Sequence, residues 1–303
     1  MKTRVVSKLN GRPGNVNNLL LPLTSAGHVV NTRSMAFPPN VYVGTSGWAY
    51  PDWLGSFYPA GSKPEDLLPH YARYFRAVEI DSTYSTIPAR SVVAGWKENT
   101  PSGFIFAAQV PGIITHQKVM KDCQRELTTF LNSLDLLGDR LGPLLLQFPY
   151  FNRNSFASRA QFDRLLRPFL KTLPKEFKFA VEIRNKNWIT WDLLEMLRDH
   201  SVAFVVVAQA WMPSIDVLAR ALDLLCADFF YARFIGDRRE AQTQRSDHLT
   251  EDKTSELMVW IEDLKKIADR APRTYAFFSN HYAGFAPGSV KLFHELWHKA
   301  PQP

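Results

Sequence analysis

Eight short apolar runs alternating with helix-like segments predict an α/β fold, a single-domain (β/α)8 barrel of the TIM type. Three observations carry the prediction. Eight alternations fill roughly 260 residues, the usual length of such a barrel. The rival doubly wound sheet normally opens on a glycine-rich phosphate turn, and neither G-x-G-x-x-G nor G-x-x-x-x-G-K-[ST] occurs in the chain. Polar residues also recur at the C-terminal ends of the apolar runs, where barrels of this type carry their sites.

The predicted strands are Val41–Gly44, Ala77–Asp81, Phe104–Val110, Pro143–Phe148, Lys178–Arg184, Val202–Ala208, Phe229–Phe234 and Thr274–Ser279. Several are apolar almost throughout, as strands covered on both faces should be. Between them, helical spacing predicts Glu65–Phe75, Ser91–Glu98, Lys118–Leu137, Phe156–Leu170, Trp191–His200, Ser214–Leu225 and Glu251–Asp269, and Ser289–His298 closes the chain. Thr190 is the expected N-cap of the fifth helix. The first strand runs into Gly44-Thr45-Ser46-Gly47-Trp48, a loop and not a nucleotide cradle. The aromatics after it, Trp48, Tyr50, Trp53, Phe57 and Tyr58, are expected mostly to seal the barrel mouth, with one or two placed to stack on a ring-shaped ligand. The charged stretch Gly236–Lys253 follows strand seven, which places it over the C-terminal face as a solvated loop.

The chain carries a formal charge of +7, with 36 basic and 29 acidic residues. Five of the basic residues, Lys2, Arg4, Lys8, Arg12 and Arg33, lie in the acid-free segment 1–35, which leaves +2 on residues 36–303. The near-balanced barrel argues against an extensive duplex nucleic-acid footprint. Residues 1–35 are expected to be a disordered basic tail. A targeting peptide, and a start at Met35, remain open alternatives. No apolar run approaches the roughly 18 residues of a membrane span, so a soluble protein with no membrane partner is expected. Cys123 and Cys226 have neither metal-ligand nor disulfide spacing, which fits a reducing, cytoplasmic setting.

Strand residues two apart share a face. Glu79 and Asp81 therefore point together, as do Glu182 and Arg184, while Val78, Ile80, Val181 and Ile183 point to the helices. The charged pairs belong in the lumen or at its mouth, with Gln109, Gln147, Arg233 and Asn280 at the ends of other strands. Two readings stand side by side. In one, Glu79, Glu182, Arg184 and Arg233 neutralise one another in a buried network. In the other, Glu79 and Glu182 are acid/base catalysts, Arg184 and Arg233 hold an anion, and Gln147 and Asn280 orient it. His116 is a catalytic candidate on its position after strand three. A carboxylate pair also suits glycoside hydrolysis, but that depends on a separation the sequence does not give. Glu79, Asp81, His116, Glu182 and His281 have no metal-ligand spacing, so no metal is assigned, and no motif names a cofactor.

At these residues the chain resembles the YecE-like family, also called domain of unknown function family 72, over roughly Val41 to Leu296. The resemblance rests on Val43-Gly44-Thr45-Ser46-Gly47-Trp48 with Trp53, Gly55 and Phe57-Tyr58-Pro59. It continues in Val78-Glu79-Ile80-Asp81-Ser82-Thr83-Tyr84, Val110-Pro111, Ile114-Thr115-His116 and Leu144–Pro149. Val181-Glu182-Ile183-Arg184 with Trp188, Arg233 with Gly236, and Asn280-His281-Tyr282 complete it. The resemblance implies a barrel and a pocket lined by these blocks. That adds Thr45, Ser46, Trp48, Asp81, Trp188 and His281 to the ligand-binding candidates. It implies no activity, because the family is named for lacking an assigned one. This chain departs from the pattern at Gln109, where relatives commonly carry lysine, at Ser279 and Ser289 in place of asparagine, and at Ile235 in place of histidine.

The expected function is action on a small anionic metabolite at the C-terminal mouth, with enzyme or non-enzyme left undecided. The alternatives are a nucleic-acid-acting barrel and a non-catalytic ligand-binding protein that has lost part of the family site.

Overall fold

The computed structural model describes residues 35–236 and 245–301. The expectations for residues 1–34, and for 237–244 of the charged loop, lie outside the described residues. Among the described residues, eight strands and eight principal helices alternate. They are β1 (Val41–Thr45), α1 (Pro64–Tyr71), β2 (Ala77–Ile80), α2 (Arg90–Glu98), β3 (Ile105–Gln109), α3 (Gln124–Leu134), β4 (Leu141–Gln147) and α4 (Arg159–Thr172). The second half contains β5 (Phe179–Glu182), α5 (Trp191–Asp199), β6 (Ala203–Ala208), α6 (Ile215–Ala221), β7 (Phe229–Phe234), α7 (Thr254–Arg270), β8 (Arg273–Phe278) and α8 (Ala286–Lys299).

The strands form one sheet in the order β1-β8-β7-β6-β5-β4-β3-β2, and every neighbouring pair is parallel. Side-chain alternation divides the apolar core into two layers. Val78, Ile80, Val181, Phe230 and Phe234 join the layer between sheet and helices. Ala77, Ala107, Leu145, Val205, Tyr231 and Phe277 fill the lumen. The lumen is therefore packed below the mouth, and only its C-terminal end is free to hold a ligand.

β1 and β2 close the barrel with little regular ladder. A single bridge joins Ser46 to Glu79, and the Gly47 N–H donates to the Glu79 carbonyl at 2.7 Å. Below that bridge the phenol of Tyr71, from α1, does the work of a backbone rung. Its oxygen accepts from the Thr45 N–H at 2.9 Å and donates to the Ala77 carbonyl at 3.1 Å. Gly44 makes room for it, since a Cβ there would lie 2.0 Å from the Ala77 oxygen and 3.0 Å from the Tyr71 hydroxyl. Tyr71, Thr45 and Ala77 are all fully buried, so both backbone groups lose their partner if the hydroxyl is removed. Tyr71→Phe is expected to cost about 1–3 kcal/mol, read from urea denaturation. A loss of a few tenths would show that the seam holds without it.

The helix expected over Lys118–Leu137 is shorter at both ends. Val119, Met120 and Asp122 have positive φ values of 44°, 66° and 47°, a backbone that cannot continue a right-handed helix. α3 therefore begins at Gln124, and Leu137 falls in the 3-10 run Asp135–Arg140 that follows it. The predicted Thr190 cap is present: its side chain accepts from the Leu193 N–H. Cys123 and Cys226 are both buried free thiols. Among the described residues no helix is long and apolar enough to cross a membrane.

Candidate functional site

Four charged side chains meet at the top of the packed lumen. β2 supplies Glu79, β5 Glu182, β7 Arg233, and the residue pair beyond β5 ends in Arg184. Register sets their common level: Gln147 pairs with Glu182, Val207 with Arg233, and Arg233 with Phe277. Arg233 spans the two carboxylates, donating from Nη2 to Glu79 Oε1 at 2.7 Å and from Nη1 to Glu182 Oε2 at 2.6 Å. Glu79 also accepts from the Ser46 hydroxyl at Oε1 and the Tyr231 hydroxyl at Oε2, each at 2.7 Å. The second oxygen of Glu182 accepts from Arg184 Nε.

Both carboxylates are fully buried, so their ionised state depends on these donors. For Glu182, burial pushes the pKa up, but Arg184 and Arg233 outweigh it and hold the carboxyl below its ordinary range. Burial works against the charge on Arg233, and Glu79 and Glu182 more than restore it. Burial and the adjacent Glu79 charge push the Tyr231 phenol far upward. Two anions and two cations thus form a balanced, hydrogen-bonded floor.

Arg184 connects that floor to the mouth. With Nε on Glu182, its Nη1 donates to Gln209 Oε1, and Gln209 Nε2 donates to the Gly236 carbonyl at 3.2 Å. Its remaining terminal nitrogen, Nη2, has no protein partner among the described residues. Gln209 and Gly236 also line a neighbouring cavity of about 470 Å³, whose charged lining residues are Asp216, Glu251, Lys253 and Glu256 and which none of the four floor residues lines.

Two further titratable groups stand over the floor. Asp81 lies just past β2, and the Tyr50 hydroxyl is 2.9 Å from its Oδ2 and 2.8 Å from the Ser46 carbonyl oxygen. Burial raises the Asp81 pKa, the Tyr50 hydrogen bond opposes this, and the Glu79 charge adds to the rise. His116 sits on a π-helical turn, Ile113–Gln117, a departure from α geometry that recurs at functional sites. Its Nδ1 is 2.8 Å from the Thr115 hydroxyl, and its ring stands edge-on to Tyr84 at 5.0 Å. Burial, then the nearby Arg184 charge, lower its pKa, against a smaller upward pull from Glu182.

Not every residue singled out from the sequence joins this cluster. Thr45 faces the helices and is engaged by Tyr71. Trp48 packs edge-on against Trp96 of α2, and its carbonyl accepts from Tyr58. The Asn280 oxygen is committed to Trp53 Nε1 at 3.1 Å and to the Ala286 N–H at 3.0 Å, which ties the turn after β8 to the aromatics after β1. His281 is half-buried in that turn, where its N–H donates to the Ser279 hydroxyl. Trp188 lines a separate cleft beside β5. Conversely, Tyr231, Gln209 and Tyr50 belong to the site and were not singled out for it. Tyr231 alone left a signal, standing two residues before Arg233 and so on the same face. Among the described residues, no group of three or more His, Cys, Asp or Glu side chains is placed to hold a metal ion.

A family model described as "Protein of unknown function DUF72" matches residues 42–303. The chain belongs to the DUF72 family. UPF0759 protein YecE of Escherichia coli O157:H7 is 28% identical over 280 residues, covering 85% of this chain and 91% of the relative. UPF0759 protein YunF of Bacillus subtilis (strain 168) is 24% identical over 287 residues, covering 84% and 94% respectively. The crystal structure of a DUF72 family protein from Thermotoga maritima MSB8 matches with a TM-score of 0.66 at 30% identity, covering 85% of this chain and 99% of that one. The resemblance read from the sequence blocks and the barrel prediction both hold. Within this DUF72 chain, Gln109 forms a neutral amide pair, its Nε2 donating to Gln147 Oε1 at 3.3 Å.

Proposed function

We propose that the chain binds a small anionic metabolite at the C-terminal mouth and exchanges protons with it, which makes it an enzyme. The observation that carries this reading is Arg184. Its guanidinium is fixed on two sides, by Glu182 and by Gln209, while Nη2 is left for a ligand. A pre-oriented guanidinium recognises carboxylate or phosphate with little further loss of side-chain freedom.

In this reading the acid/base roles move away from the two glutamates. Glu182, held ionised by two arginines, is a poor proton carrier, and both oxygens of Glu79 are already occupied by Arg233, Ser46 and Tyr231. Burial favours the uncharged form of both groups, raising the Asp81 pKa and lowering that of His116, which pairs a candidate acid with a candidate base. Proton accounting supports an acid at Asp81: the Tyr50 hydroxyl has one proton and two acceptor oxygens in reach. A protonated Asp81 resolves the conflict by donating to Tyr50, which then donates to the Ser46 carbonyl. Glu79, Glu182 and Arg233 become the scaffold, and Gln147 faces the same mouth.

The test is a thermal-shift screen of the full chain against small mono- and dicarboxylates and phosphomonoesters, followed by turnover assays on any hit. At least one anion is expected to stabilise the protein, and Arg184→Gln to weaken it about 10-fold or more, the worth of a hydrogen bond to a charged group. An Arg184→Gln variant with unchanged anion affinity would sink the assignment.

A further inference from the structure

A second, smaller cleft opens beside β5, between the loop after β4 and the loop after β5. Its volume is about 260 Å³, and Tyr150, Phe151, Arg153, Phe156, Lys186 and Trp188 form most of its wall. The wall is preformed. Asn185 clamps Phe151 from both sides, accepting from its N–H at 2.9 Å and donating to its carbonyl at 2.8 Å. Trp188 is backed by Phe162 at 5.3 Å and Phe151 at 6.1 Å between ring centroids.

Two features of this cleft have no part in holding the fold together. Tyr150 is 67% exposed and packs on no other ring among the described residues. Arg153 and Lys186 are exposed, and neither has an ion pair or side-chain hydrogen bond among the described residues. The cleft lining contains no acid. Other exposed cations also lack an ion pair among the described residues, Arg164 and Lys171 for example, so what sets Arg153 and Lys186 apart is that both line one acid-free aromatic cleft. A rigid aromatic wall, a free aromatic face and two unneutralised cations select a flat ring carrying a negative charge. The volume is that of roughly nine waters at about 30 Å³ each and falls short of the roughly 300–1,000 Å³ of a drug-sized site. The cleft can enclose one base, with the sugar and phosphate of its unit left at the open rim where Arg153 and Lys186 are exposed.

We propose that this cleft binds a single nucleotide unit, its base stacked on Tyr150 and Trp188 and its phosphate held between Arg153 and Lys186. The proposal stands on the cleft alone and does not depend on the role given to Arg184. The unit comes either from a free mononucleotide or from single-stranded nucleic acid, since both present a base and a phosphate.

Calorimetric titration of the full chain tests it, with adenosine 5′-monophosphate, adenosine, ribose 5-phosphate, inorganic phosphate and single-stranded hexadeoxyadenylate as probes. The mononucleotide is expected to bind at least ten-fold more tightly than adenosine, ribose 5-phosphate or phosphate. Tyr150→Ala is expected to weaken it about ten-fold, in the range of one base–aromatic stack. Arg153→Gln with Lys186→Gln should remove its salt dependence, and Arg184→Gln should leave it unchanged. Hexadeoxyadenylate binding well above the mononucleotide identifies a strand as the source, and equal or weaker binding identifies the free nucleotide. These three residues are exposed, so the variants are expected to fold, which circular dichroism checks. A mononucleotide no tighter than phosphate on the Arg184→Gln variant, where the mouth no longer competes for the anion, overturns the proposal. So does binding that survives the Tyr150→Ala, Arg153→Gln and Lys186→Gln triple variant, because it then belongs to another surface.

Discussion

Arg233→Met is expected to destabilise the barrel by about 3–5 kcal/mol at neutral pH, the cost of leaving buried charge without its partner. It is also expected to reverse the direction in which acid affects stability. In the native protein the arginines hold Glu182 below its ordinary pKa. A carboxyl depressed in the folded state contributes stability above its unfolded pKa and loses it as pH falls through the folded value. The native chain therefore loses this contribution on acidification. Without Arg233, Glu79 keeps the Ser46 and Tyr231 hydroxyls and Glu182 keeps Arg184. Two fully buried carboxylates then face one lumen, with the one remaining cation, Arg184, on Glu182 alone. Mutual repulsion and desolvation raise at least one of them above its unfolded value. A raised carboxyl contributes stability at low pH and loses it as pH rises through the folded value, so the variant should gain as the buffer moves from pH 7.5 towards 5. Urea midpoints at the two pH values read both effects. A variant that lost less than about 1 kcal/mol, or kept the native direction of pH dependence, would mean that the carboxylates are neutralised by other means.

The layout of that lumen was legible in the sequence because strand side chains alternate with a period of two. Glu79 and Glu182 each sit between aliphatic neighbours, and in a strand buried on both faces the polar position can only turn inward. The same rule carried Arg184 and Arg233 to the mouth. What it could not show is which of these groups meet. The contacts of Tyr231 with Glu79 and of Arg233 with Glu79 span 152 and 154 positions, and follow only from the order of the strands. Gln209 lies past the end of β6, where loop geometry and not strand alternation aims the side chain. Tyr50 stands in a run of five aromatics, most of which pack on one another or on α1 and α2. Trp53 and Tyr58 are fully buried, and only the reach of the Tyr50 hydroxyl to Asp81 sets it apart. Helix boundaries were least legible where the backbone leaves the right-handed region, as at Val119, Met120 and Asp122. Composition gave no warning of that, because none of the three is glycine.

The floor of the site costs stability that an apolar lumen would not. Buried ion networks replaced by well-packed apolar side chains are often neutral or stabilised by about 1–4 kcal/mol. Glu79→Met, Glu182→Leu, Arg233→Met and Tyr231→Phe together remove both carboxylates, the cation between them and one of the two hydroxyls that Glu79 accepts from, leaving only the Ser46 hydroxyl to find another acceptor. Arg184 is 14% exposed at its side chain and can turn to solvent when Glu182 is gone. The fourfold variant is therefore expected to be as stable as the native chain or more so, unlike Arg233→Met alone. Its response to any anion found to bind the native mouth is expected to fall about 10-fold or more, because Arg184 loses the contact that fixes its guanidinium. The comparison separates what the network does for the fold from what it does for the ligand. A fourfold variant more than about 2 kcal/mol less stable than the native chain would show that the network holds the barrel together. A stable variant with native anion affinity would show that Arg184 needs no positioning. Stability retained with affinity lost is the result expected if the buried charges serve to aim one guanidinium at the mouth.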